Sequence, residues 1–310
     1  MMDLTTPVAF FAFNRPELTA RVFERIREAR PAHLLAVCDG PRPDRPEDMA
    51  KVAAVRAVLD QVDWPCRVQR NYADTNMGCR QRVASGLNWV FEQVEEAIIL
   101  EDDTLPDPSF FPFCQELLER YRDDCRVMHI SGDGRASLGC KFKESYAFSK
   151  YSLIWGWATW ARAWAHYDAE LSSWTNGNTK REVLQKLVLS EERGFWISLF
   201  DRMAKAPALQ DTWDYQWVYT CMKIGGLSAL PRTNLIQNIG FGADATHTHD
   251  SDLVINVSTK AMDMPIIHPK MIHSLSRLDK AVFENLIWRA KTSPTWMQAI
   301  RCARRFLRGS

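Results

Sequence analysis

Three carboxylates in a row, Glu101-Asp102-Asp103, follow the apolar run Ala97–Leu100. Carboxylates packed this closely repel one another unless a cation or hydrogen-bond donors offset them. Hard divalent ions such as Mg²⁺ or Mn²⁺ take oxygen ligands, commonly one or two carboxylates completed by substrate phosphates. The triplet therefore reads either as a cation-bridged anion site or as a solvated acidic turn leading into the next helix. The segment behind it, Pro106-Asp107-Pro108-Ser109-Phe110-Phe111, supports the first reading. A second candidate is Asp211-Thr212-Trp213-Asp214-Tyr215-Gln216-Trp217. Asp211 can be read as a helix N-cap with Asp214 as the third helical residue, both stabilised by the helix dipole. A carboxylate held in that way stays ionised at neutral pH and is able to take a proton from a hydroxyl. A third lies in Ile154-Trp155-Gly156-Trp157-Ala158-Thr159-Trp160. Clustered aromatics are core in most settings, yet the glycine between Trp155 and Trp157 would admit the flat face of a sugar.

Positioning these groups requires a scaffold, and hydropathy supplies one. Runs at Val8–Phe13, Leu34–Cys38, Arg67–Gln69, Ala97–Leu100 and Val127–Ile130 read as buried strands. Helical stretches lie between them, clearest over 77–94, where Val83, Leu87, Val90, Phe91 and Val94 share a face. Such alternation implies an α/β fold, a mostly parallel Rossmann-like sheet flanked by helices. Ligands bind such sheets beyond the carboxyl ends of the strands. Those ends carry Asn14-Arg15-Pro16, Asp39-Gly40, Asn76-Met77-Gly78, the acidic triplet and Ser131-Gly132-Asp133-Gly134.

Ile98-Ile99-Leu100-Glu101-Asp102-Asp103 with the Pro-Asp-Pro-Ser-Phe-Phe segment resembles the acidic metal motif of GT-A-fold glycosyltransferases. Around the Glu-Asp-Asp segment it is similar to N-acetylglucosaminyltransferase I. The first strand with Asn-Arg-Pro, Asp39-Gly40 and Asn76-x-Gly78 resembles the nucleotide-binding half of bacterial family 2-type enzymes. The resemblance spans roughly residues 6–250 and is most specific at the triplet. It implies that Asp103 contacts a Mn²⁺ or Mg²⁺ ion, with Asp102 and Glu101 supporting ion and nucleotide. It further places Asn14, Arg15 and Asp39 near the nucleotide, Asp39 on a base edge such as uracil, and Arg80 on the diphosphate or base. For Arg15 and Arg80 the competing reading is plain surface solvation. Asp214 would be the base of an inverting transfer, with Asp211 as runner-up. In Gly240-Phe241-Gly242-Ala243-Asp244-Ala245-Thr246-His247, His247 would be a further metal ligand, although N-acetylglucosaminyltransferase I shows no evident counterpart. Trp155 and Trp157 would contact donor or acceptor sugar.

The expected partners are a nucleotide-sugar donor, UDP-linked by preference, and a glycan or glycolipid acceptor in bacterial surface glycan assembly. Two other functions fit part of the pattern. A sugar-1-phosphate nucleotidyltransferase would want a glycine-rich basic loop where Asn14-Arg15-Pro16-Glu17 stands, and a non-catalytic glycan- or nucleotide-binding module would not need Asp214.

Composition bounds these expectations. The 310 residues are 46% apolar and 25% charged, with a formal net charge of +1, so no global field favours nucleic acid. Eight scattered cysteines without a C-x-x-C pair read as reduced thiols. The opening residues do not read as a signal peptide, and no apolar run approaches the roughly 18 residues that span a bilayer. Cytoplasmic residence is expected. The division expected is a transferase domain over 1–250 and a basic helical appendage over 251–310, where Arg289, Lys291, Arg301, Arg304, Arg305 and Arg308 accompany Trp288, Trp296 and Phe306. That amphipathic pattern suits peripheral contact with the inner face of the plasma membrane.

Overall fold

The computed structural model describes residues 4–187, 189–206, 211–240 and 257–288. The chain begins with the expected alternation: β1 (Val8–Ala12), α1 (Pro16–Ala29), β2 (His33–Cys38), α2 (Glu47–Leu59), β3 (Arg67–Tyr72), α3 (Cys79–Gln93) and β4 (Glu96–Glu101). Every residue of β1 is buried, as a strand covered by helices on both faces requires. These four strands pair in parallel in the order β3-β2-β1-β4, with Val8 opposite Leu34 on one side and Ile98 on the other.

The next stretch holds β5 (Thr104–Pro106), α4 (Phe110–Arg120), β6 (Val127–Ser131), β7 (Tyr146–Ser149), β8 (Trp157–Trp160) and α5 (Ala161–Trp164). Then come α6 (Gly177–Gln185), α7 (Ser190–Lys205), α8 (Asp214–Ile224), β9 (Leu227–Pro231), β10 (Ile236–Asn238) and α9 (Ser276–Val282). The main sheet continues from β4 as β8-β6-β9-β7, while β10 and β5 form a separate antiparallel pair. Strand β8 runs against both β4 and β6, and β9 runs with β6. Two reversals cancel, so β6 and β9 point the same way as β1 to β4. The carboxyl ends of six strands thus line one edge of a mixed but mostly parallel sheet.

Part of the tryptophan-rich segment is a strand of the sheet centre. Gly156, with φ of +54°, turns the chain into β8, and a Cβ there would meet Ile236 Cδ1 at 2.3 Å. Only glycine suits both the backbone angle and the gap. Beyond the sheet, α6, α7 and α8 gather a second buried cluster around Trp174, Trp196, Phe200 and Tyr219.

Residues 257–288 are woven into this body. Leu278, Val282 and Phe283 belong to the second cluster, Leu275 N–H donates to Phe148 O at 2.8 Å, and Asp279 accepts from Ser149 Oγ at 2.7 Å.

Candidate active site

The site is built first by the neighbouring ends of β1 and β4. Pro16 starts α1 at a position where no backbone N–H is needed, so the β1–α1 connection is only Phe13-Asn14-Arg15. That short turn aims Arg15 at the acidic triplet. Its Nη2 pairs with Asp102 Oδ1, and its Nη1 lies 3.0 Å from Asp103 Oδ2. Phe13 N–H adds a bond to Asp102 Oδ2 at 3.3 Å. Thr104 closes the triplet into a turn, accepting from Glu101 N–H at 2.9 Å and donating to Glu101 O at 3.0 Å. From the other side Ile239 N–H donates to Asp103 O at 2.8 Å. Gly240 then passes so close that a Cβ would stand 2.6 Å from Asp103 Oδ2.

Electrostatics follow from that packing. Burial, then the carboxylates of Asp103 and Asp102, push Glu101 up to about 8. Burial also raises Asp102, against the pull of Arg15. Burial opposes the charge on Arg15, but Asp102 and Asp103 outweigh it and raise its pKa. Even with Glu101 holding its proton at neutral pH, one guanidinium faces both Asp102 and Asp103, and the turn keeps room for a further positive charge. Asp103, with its side chain 19% exposed, is the triplet member that faces solvent alongside Glu101, whereas Asp102 is sealed at 4%.

The second candidate comes to the same place. Helix α8 opens on Asp214, with Trp213 at the N-cap. Asp211 is thus not the cap that sequence suggested, and Asp214 is the first helical residue rather than the third. Cys79, at the start of α3, has its thiol pushed up by burial and by Glu101, Asp214, Asp211 and Asp103 in turn. These carboxylates therefore all act electrostatically on the first residue of α3. Asp211 Oδ1 lies 4.0 Å from the position of a Cβ on Gly78. Tyr167, unsignalled in the sequence, buttresses this corner by donating from its hydroxyl to Trp213 O at 3.1 Å.

Other expected contacts take different roles. Asp39 is buried, and its oxygens accept from Gly40 N–H at 2.8 Å, Asn76 Nδ2 at 2.8 Å and Met77 N–H at 3.0 Å. Burial raises its pKa against those backbone donors. Its carboxylate fixes the loop before α3, a structural role beside the base contact that the resemblance implies. Asn14 donates to Asp48 Oδ1 at 2.7 Å, and Arg42 grips both oxygens of Asp48 at 2.6 and 3.0 Å. Asp48 is wholly buried, and Arg42, not Asn14, presents a partly exposed cation here. Arg42 follows Asp39-Gly40-Pro41 closely, the one signal by which sequence could have found it. Arg80 turns from the triplet to Glu170 and Ala169 O, the latter at 3.0 Å.

Trp157 is not a sugar contact. It is 1% exposed and stacks on His129 at 5.0 Å and Trp213 at 5.6 Å between ring centroids. Inward-pointing positions of a central strand fill the core whatever their chemistry. Trp155, half-buried, lies against Arg135, whose guanidinium carbon is 3.7 Å from its ring centroid. Asp133 anchors that arginine at 2.6 and 2.9 Å. His247 lies outside the described residues.

No three His, Cys, Asp or Glu side chains among the described residues form a ready cage for an ion. Asp103 offers a partly exposed carboxylate at the strand end, with Asp102 sealed behind it under Arg15, and this fits an ion that draws most of its shell from phosphate oxygens and water. No described helix is long and apolar enough to cross a membrane.

Neither a protein-family profile nor a curated protein matches the sequence. Among solved structures, similarity extends to a UDP-glucose pyrophosphorylase complexed with UDP-glucose, at 10% identity and TM-score 0.33, over 52% of this chain and 78% of that one. It extends to 4-diphosphocytidyl-2C-methyl-D-erythritol synthase from Anaerococcus prevotii at 9% and 0.34, over 64% and 85%. A mannosyltransferase from Pyrobaculum calidifontis in complex with GDP-Man and Mn²⁺ follows at 12% and 0.37, over 71% and 68%. Likeness at this level concerns the α/β framework, and chemistry has to come from the residues.

Proposed function

We propose that this chain is an inverting, metal-dependent glycosyltransferase of the GT-A type that moves a sugar from a nucleotide-sugar, UDP-linked by preference, to an acceptor hydroxyl. What supports the reading is the acidic turn at the end of β4, where Arg15 is drawn onto Asp102 and Asp103, with Asp214 opening α8 near enough to act electrostatically on Glu101 and on Cys79 at the start of α3. Asp103 and Asp102 would hold a Mn²⁺ or Mg²⁺ ion, which when bound offsets the charge of a departing diphosphate. Arg15 pairs with both carboxylates and orients them. Asp214, at the positive end of α8, would accept the acceptor's hydroxyl proton as the glycosidic bond forms. A base on the acceptor side supports a single in-line displacement, hence inversion. Trp155 offers a ring beside the same edge for a sugar face. The acceptor would be a glycan or glycolipid of a cell surface, and the enzyme would work in the cytoplasm.

A nucleotidyl transfer is disfavoured by the β1–α1 connection: three residues without glycine do not make a phosphate-cradling loop. The test is titration calorimetry of UDP with and without Mn²⁺. Binding only in the presence of the ion is expected, and equal affinity in chelator would remove the metal from the site.

A further inference from the structure

Exposed apolar side chains cluster in a segment that is otherwise tied down. Lys260 N–H donates to Asn234 O, Met262 N–H to Ser109 Oγ and Ser145 N–H to Ile267 O, each at 2.8 Å. Met262 and Ile266 point inward and are buried, yet Met264, Ile267 and Met271 are 49%, 56% and 67% exposed. A pinned loop that turns large apolar groups outward marks a contact surface more strongly than scattered exposed residues do.

The charges around it are mostly positive. Lys141, Lys143, Lys260 and Lys270 are exposed and Arg232 is half-exposed, against Asp263, which meets Arg232 at 3.4 Å, and Glu144. His268 is spent on Glu116 at 3.0 Å. Residues 289–310, which follow α9 in the chain, hold six arginine and lysine residues and no carboxylate. Helix α9 itself lies against β7, the strand this loop borders.

We infer that residues 262–272, with the basic side chains beside them, form a docking surface for an anionic lipid bilayer. Apolar groups inserted at the headgroup level combine with lysines and arginines that meet lipid phosphates. A second copy of the chain is a poorer occupant, because it would bring one basic face against another. The surface starts at the strand end next to Pro231 and Ser145, on the edge of the sheet that carries the acidic triplet. Docking there would hold that edge close to molecules embedded in the membrane.

The experiment is co-sedimentation of the full chain with vesicles of phosphatidylcholine alone or mixed with phosphatidylglycerol, without nucleotide, so that its outcome is independent of the transferase reading. The protein should sediment only with the mixed vesicles, and less so as salt rises. The triple variant M264S/I267S/M271S and the variant K260E/K270E should each lose roughly tenfold or more in partition with unchanged melting temperature. Absence of sedimentation at low salt would overturn the inference, as would wild-type binding by both variants. Concentration-dependent dimerisation abolished by the same substitutions would assign the face to a second copy instead.

Discussion

The imidazole of His129 ought to make this protein sensitive to mild acid, and the effect can be worked out from its contacts. His129 is fully buried on β6, with Nε2 2.9 Å from Leu153 O and Nδ1 3.2 Å from Trp217 Nε1. The indole N–H can only donate and the carbonyl can only accept, so the ring must carry its proton on Nε2 and leave Nδ1 bare. A second proton would break the bond to Trp217. Burial moves the folded pKa from 6.5 down to about 4. A depressed histidine favours the unfolded chain wherever only that chain binds the proton. Stability is therefore complete above pH 6.5 and declines as pH falls toward 4. The cost is about 2 kcal/mol at pH 5 and approaches about 3 kcal/mol below pH 4. Urea melts of the native chain and His129→Gln at pH 7.5, 6 and 5 measure it. The glutamine variant need not match native stability at neutral pH, only lack the titration, so the gap between the two proteins should narrow by about 2 kcal/mol between pH 7.5 and 5. Parallel loss in both proteins would show that His129 is not the source.

Asp103→Ala should lose at least the tenfold to hundredfold in ion-dependent UDP affinity that even outer partners of a bound metal are typically worth, roughly. Its melting temperature should hold or rise, since a carboxylate leaves a crowded acidic turn; calorimetry and a thermal melt check the two halves. Asp214→Asn should keep donor binding and lose transfer by roughly 10²–10⁴-fold in a turnover assay, while Asp211→Asn, exposed and outside the helix, should lose far less. The first-formed product from an α-linked donor should be β-linked by NMR, and an α-linkage would take Asp214 out of the chemistry. Gly156→Ala should cost about 2–4 kcal/mol in urea unfolding, from its left-handed backbone and the clash with Ile236, and the same substitution should cost less in an Ile236→Ala background, where the clash is gone.

Four buried strands and α3 were legible because apolar runs broken by polar strand ends are the direct consequence of a sheet covered on both faces; β3, expected to be buried too, is an edge strand with no buried residue. Strand β8 was not: Trp157-Ala158-Thr159-Trp160 is four residues long, and its pairing partners Ile98 and Ile130 lie far away in sequence. For the same reason Trp157 looked as available as Trp155, since local sequence does not say which side of a strand faces inward. The triplet stands out by charge alone, and the donors that offset part of its repulsion, Arg15 and Phe13 N–H, come from a turn far away in sequence. The loop-fixing role of Asp39 was not legible, because an aspartate at a strand end that binds a ligand and one that ties down the next loop have the same sequence signature. Asp48 resembles any acidic residue in the first turn of a helix, and its burial under Asn14 and Arg42 exists only in three dimensions.

The antiparallel course of β8 bears on how the molecule assembles. Its neighbours β4 and β6 are both synthesised earlier, yet among the described residues they meet in the sheet only through β8. Until residue 160 has emerged, β4 presents an unpaired row of backbone groups, and a bare row of that kind recruits other chains. A fragment ending near residue 150 would contain the whole acidic triplet and still lack the strand that closes its sheet. Such a fragment should therefore aggregate, and dissecting the first half of the chain from the rest by truncation will fail where point substitution succeeds.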